Sequence, residues 1–114
     1  MKDLSQTEKE KLIADVKSFL DITWADEDID NELWRNIVDS IRYIDDVSGV
    51  ELDYLADETT EGEKPYLSLC AYGKTLLKNR VFYIREKALD DFQKNYVSDL
   101  TRLYVSGRAY VTEV

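Results

Sequence analysis

Along most of this chain apolar residues return every three or four positions, the spacing of one face of an α-helix. Leu12, Ile13, Val16, Phe19 and Leu20 form one such face, which predicts a first helix over Gln6–Leu20. Ser5 precedes it with Glu8 three positions on, the spacing of a capping box. Ile29, Leu33, Ile37, Ile41 and Ile44 repeat in the same way, with Trp34 and Val38 widening the stripe. They predict a long second helix over Glu27–Val47 that stops at Ser48-Gly49, with Gly49 supplying the left-handed turn helices end on. Leu69, Cys70, Gly73, Leu76, Leu77 and Val81 predict a third helix over Pro65–Tyr83, with Pro65 in its first turn. Leu89, Phe92, Tyr96, Leu100 and Leu103 predict a fourth over Glu86–Tyr104.

Two stretches break the pattern. Val50–Lys64 is a loop, anchored by Val50, Leu52 and Leu55 and then strongly acidic. Val105–Val114, "VSGRAYVTEV", alternates β-branched and aromatic residues after a Gly, so an extended tail is expected there. The fold class is therefore all-α: a compact bundle of four main helices, an acidic loop between helices 2 and 3, and an extended C-terminal tail. The expected organisation is one helical domain over residues 1–104 and a tail over 105–114.

Charge changes the picture more than composition does. The 114 residues carry a formal charge of −9, which disfavours a phosphate backbone as the main partner. Residues 1–64 hold 19 acidic and 7 basic side chains, whereas 65–114 hold 5 and 8. Such an asymmetry reads either as ordinary solvated helix faces or as complementary surfaces meeting between copies. The sharpest acidic stretch is "DITWADEDIDNE". Asp26, Asp28 and Asp30 alternate like the first ligands of a calcium loop. The sixth position is Asn31 rather than Gly, however, and the twelfth is Ile37 rather than Glu. The better reading is a helix N-terminus capped by Asp26, since unpaired N–H groups there favour carboxylates.

Candidate chemistry is thin. The chain has no His, the commonest general base and metal ligand, and has no glycine-rich phosphate loop. Its one Cys, Cys70, falls on an apolar helix face and reads as a small buried hydrophobe. Neighbouring acids such as Asp45/Asp46 and Asp90/Asp91 are not carboxylates held across a cleft. No enzymatic activity, metal or cofactor is expected. No apolar run is long enough to span a membrane, and "MKDLSQTEKEKL" lacks a signal-peptide core, so cytoplasmic synthesis is expected. Eight Tyr against three Phe favour partly buried positions and interfaces, with Tyr43, Tyr83 and Tyr110 outside the core stripes.

In this order of elements the chain is similar to the small helical head–tail connector (adaptor) proteins of long-tailed bacteriophages. The resemblance lies in "LIADVKSFLDI", the acidic turn "WADEDIDNEL", the long helix "LWRNIVDSIRYIDDVSG" and "PYLSLCAYGKTLLKNR", and covers about residues 10–104. It implies a virion protein, assembled in the bacterial cytoplasm, with a ring of about a dozen copies beneath the portal protein. Such a ring extends the DNA channel, lets DNA pass without specific binding, and presents a surface to the next head-completion or tail protein. On that reading Arg108, Tyr110 and Val111 are expected to contact the portal. Asp26, Glu27 and Asp28, with Asp57, Glu58, Glu61 and Glu63, are expected to form the acidic face of the channel. The competing reading is an acidic DNA mimic that occupies a nucleic-acid enzyme.

Overall fold

A computed structural model describes residues 3–113, and of Glu113 only the backbone. The described chain is all-helical: α1 (Gln6–Phe19), α2 (Glu27–Ser48), α3 (Lys64–Arg85), α4 (Leu89–Asn95) and α5 (Val97–Glu113). The capping box of α1 is present. Ser5 Oγ accepts from the Glu8 N–H at 3.2 Å, and Glu8 Oε1 accepts from the Ser5 N–H at 3.1 Å. Asp26 caps α2 by accepting from the N–H groups of Asp28 and Ile29, and Gly49 ends it at φ 72°.

One apolar core joins these helices. Leu12 and Val16 of α1, Leu33, Ile37 and Ile44 of α2, Leu77 and Val81 of α3, Phe92 of α4 and Leu103 of α5 are all essentially shielded from water. Each such side chain contributes roughly 1.5–3 kcal/mol relative to leaving it exposed. α2 and α3 run antiparallel, since Arg85 pairs with Glu32 near one end while Gly73 meets Ile44 further along. Gly73 marks a close approach, and its nearest neighbour is Leu52 of the loop rather than a helix. A Cβ there would lie 2.5 Å from Leu52 Cδ1.

The loop is pinned rather than loose. Asp45 Oδ1 accepts from the Tyr54 hydroxyl at 2.6 Å and from the Leu52 N–H at 3.2 Å. Tyr66 donates to the Glu51 carbonyl at 2.9 Å. These bonds fold Leu52–Leu55 back over the core and leave the following acidic stretch on the surface.

The expected single helix over Glu86–Tyr104 is corrected to two. Lys87 enters the left-handed region at φ 55°, α4 starts at Leu89, and a break at Tyr96 redirects the chain into α5. No Pro or Gly marks the break. An aromatic cluster holds it, with Phe92 stacked on Tyr96 at 4.8 Å and Tyr83 at 5.8 and 5.9 Å from the two rings. The Tyr96 hydroxyl also donates to Asn79 Oδ1 at 3.0 Å.

The extended tail is likewise corrected. Val105–Glu113 is the second half of α5, so the expected boundary between 104 and 105 falls inside a helix. Leu100, Leu103, Gly107 and Tyr110 recur at three and four residues and face the bundle, and this burial outweighs the strand preference of the intervening Val and Thr. Gly107 acts as a contact residue rather than a breaker. A Cβ there would overlap the Ser48 carbonyl oxygen at the end of α2.

Candidate interaction surface

α5 lies antiparallel to α3. Tyr72 donates to Asp99 Oδ1 at 2.8 Å, and Tyr66 meets Tyr110 with ring centroids 5.9 Å apart. The inner face of α5 is thus fixed to α3 and, through Gly107, to α2. Its outer face is exposed among the described residues. Val97 is 60% exposed, Tyr104 51%, Val105 58% and Val111 51%. With Thr101 and Arg108 between them these positions follow helical spacing and share one exposed, largely apolar face.

Two arginines lie on this surface. Arg102 lies over the Tyr72 ring at 5.3 Å, and Arg108 over the Tyr104 ring at 5.0 Å, with its guanidinium against Gly49. From Leu100 to Thr112 the helix carries no acid. Beside the stripe a groove of about 350 Å³ opens between α3 and α5, floored by the small residues Ser68, Ser106 and Ala109. The Tyr72 hydroxyl at its edge stays protonated to about pH 12, held there by burial and by Asp99.

The three residues expected at the portal are divided between two environments. Arg108 and Val111 are exposed, whereas Tyr110 is half-buried against Tyr66 and anchors the helix. Tyr43 and Tyr83, the other aromatics expected at an interface, are half-buried too. Tyr43 supports the Arg80 guanidinium at 4.5 Å and Tyr83 belongs to the cluster around Phe92. The exposed aromatics include Tyr104, Phe19, Trp24 and Phe82. Periodicity alone placed Phe19 on the core face of α1, but it is the last residue of that helix and is 45% exposed. Tyr104 and Val105 show up only once α5 is known to be helical.

The seven acids expected on one face lie in two places. Asp26, Glu27 and Asp28 are exposed at the start of α2, whereas Asp57, Glu58, Glu61 and Glu63 are exposed in the loop after its end. The first group opens α2, whereas the second follows the loop that folds back from its C-terminal end. Several of these acids have local work. Asp26 caps α2. Asp57 accepts from the Thr59 N–H at 2.8 Å, and the Thr59 bonds hold its carboxyl below the usual range. Asp30, next to the first group, pairs with Lys17 of α1 at 2.9 Å. Along α2 the exposed positions Asp28, Asn31, Arg35, Asp39, Arg42 and Asp46 alternate in sign rather than forming a row of carboxylates.

A cleft of about 360 Å³ lies beside the pinned loop, between Leu12, Ile41, Asp45, Tyr54 and Tyr66. Burial raises the Asp45 carboxyl against the opposing pull of its Tyr54 and Leu52 hydrogen bonds. Burial and the neighbouring carboxylate push the Tyr54 hydroxyl up as well. The two polar groups are bonded to each other and to the loop, which is a structural arrangement. Among the described residues no three His, Cys, Asp or Glu side chains converge as metal ligands, and no helix is long and apolar enough to cross a membrane. No family model, curated protein or solved structure matches the chain significantly.

Proposed function

We infer that the chain is a structural subunit that works through contact: a head–tail connector (adaptor) of a long-tailed bacteriophage, ringed beneath the portal. The observation that carries this reading is the uncovered apolar stripe of α5. A helix whose inner face is fixed and whose outer face keeps four half-exposed apolar side chains is suited to being covered by a partner. The fold class agrees with the resemblance in the sequence, and the pinned loop and capped helices supply a rigid body on which the stripe is carried.

On this reading α5 is the docking element toward the portal, with Val105, Arg108 and Val111 outermost. The acidic groups at the two ends of α2 discourage DNA from adhering as it passes, because like charge repels phosphate. The alternating signs along α2 disfavour the DNA-mimic reading, which requires unbroken carboxylate rows. The test is co-sedimentation of the purified chain with portal rings. The chain is expected to travel with the portal and to bind no duplex DNA at physiological salt. A chain that binds duplex DNA tightly, or ignores the portal, overturns the reading.

A further inference from the structure

We propose that the cleft beside the pinned loop binds a small organic cation with an apolar body, of the class of a primary alkyl- or arylalkylammonium. The cleft of about 360 Å³ is walled by α1, α2, α3 and the loop, and its size is that of a small-ligand site. Leu12, Ile41 and Leu52 give it apolar surface, and Tyr54 and Tyr66 add aromatic rings. Glu8, Asp45, Glu51 and Asp53 also line it, whereas no Lys or Arg does. Apolar walls that can bury a hydrocarbon body, beside carboxyl groups that can receive an ammonium, complement such a cation in both shape and sign.

The walls are held in place before any ligand arrives. Leu52 is seated against Gly73, the Tyr54 hydroxyl donates to Asp45 Oδ1, and the Tyr66 hydroxyl donates to the Glu51 carbonyl. The Asp53 N–H donates to Cys70 Sγ at 3.2 Å. A cleft fixed in this way loses little further freedom when it is filled. Asp45 Oδ1 is engaged twice, but Oδ2 has no hydrogen-bond partner among the described residues. Burial raises this carboxyl, so a cation alongside it would stabilise the charged form. Arg42 and Arg108 border a neighbouring cleft with Asp45 and Glu51 and form no ion pair with either among the described residues. The carboxylates do not converge as metal ligands do, which favours an organic cation over a bare ion.

The test is an amide NMR titration of the full chain with 2-phenylethylammonium at constant ionic strength. The neutral 2-phenylethanol and the anionic 3-phenylpropionate are titrated beside it. The ammonium is expected to give saturable shifts centred on Leu12, Leu52, Asp53 and Tyr54, with a dissociation constant on the order of 0.1–1 mM. Both controls are expected to bind about tenfold or more weakly. Glu51→Gln/Asp53→Asn removes two charges from the cleft and is expected to weaken ammonium binding about fivefold or more. The Asn keeps an acceptor for the Leu55 N–H, and the bond from Tyr66 goes to the Glu51 backbone, so the loop is expected to stay pinned. Glu27→Gln/Asp28→Asn removes the same charge at the start of α2 and is expected to leave binding unchanged. Shifts that spread over the acidic surface without saturating, equal binding of the alcohol, a cleft variant that binds like the native chain, or a control variant that loses binding as much as the cleft variant overturns the site. Binding here is independent of the connector reading: it can fail while the chain docks on portal rings, and hold while docking fails.

Discussion

Gly107 of α5 lies so close to the Ser48 carbonyl of α2 that no side chain fits between them. The contact decides where the outer face of α5 points. Gly107→Ala therefore forces the two backbones apart. The expected cost is about 1–3 kcal/mol, as for other overpacked interiors. Urea unfolding measures it, and α5 is expected to lose amide-exchange protection before α2 and α3. An unchanged midpoint would mean that the helices are free to separate at no cost.

Tyr54 and Asp45 give a second expectation. Tyr54→Phe keeps the ring in the core but removes the donor to a half-buried carboxyl. The loss is expected to be about 0.5–1.5 kcal/mol by chemical denaturation, the net worth of one hydrogen bond, since the Leu52 N–H still donates to the same carboxyl.

The same carboxyl gives a pH dependence of definite sign. Burial lifts Asp45 above its ordinary value of 3.8. A group raised in the folded state holds its proton more tightly there than in the unfolded chain. Its contribution is full below the ordinary value and is lost as pH rises through the raised one. Asp57 runs the other way, since its lowered carboxyl contributes above the ordinary value and loses that contribution as pH falls. Thermal unfolding of the native chain and Asp45→Asn, followed upward from acid pH, is expected to show the native chain losing ground to the variant. A constant difference would remove Asp45 from the titration.

Arg80 separates burial from ion pairing. Its Nη1 donates to Asp39 Oδ2 at 2.8 Å and to the buried Ser40 Oγ at 2.9 Å, and its guanidinium covers Tyr43. The Asp39 side chain is 66% exposed, so solvent screens the pair. Asp39→Ala is expected to cost under about 1 kcal/mol. Arg80→Ala removes packed stem as well as charge and is expected to cost about 2–4 kcal/mol. Equal costs would show that the pair itself dominates.

Much of this was legible in the sequence where local signals agreed with packing. The Ser5/Glu8 box, the Asp26 cap, the α2 stripe and the Gly49 stop each have one local cause, and each appears. The break at Tyr96 has no local cause, since three aromatic rings from two helices create it. The end of α5 misled for a related reason. Val105, Val111 and Thr112 favour strand locally, while Gly107 and Tyr110 sit on the helix face that α2 and α3 receive. The exposed stripe of α5 was hidden with it, because its residues align only on a helix. The acidic residues were visible as a composition, but their division between the two ends of α2 is a property of the fold.

On the proposed connector reading, the most direct measurement is an electron-microscopic count of particles from a long-tailed phage in which this chain is deleted and then supplied as native protein or as Val105→Glu/Val111→Glu. The two substitutions lie on the exposed stripe and are expected to change stability by no more than about 0.5 kcal/mol each. DNA-packaging heads without tails are expected in the deletion, tailed particles when the native chain is returned, and tailless heads again with the double variant. Tailed, infectious particles made in the absence of the chain would contradict the proposed connector role.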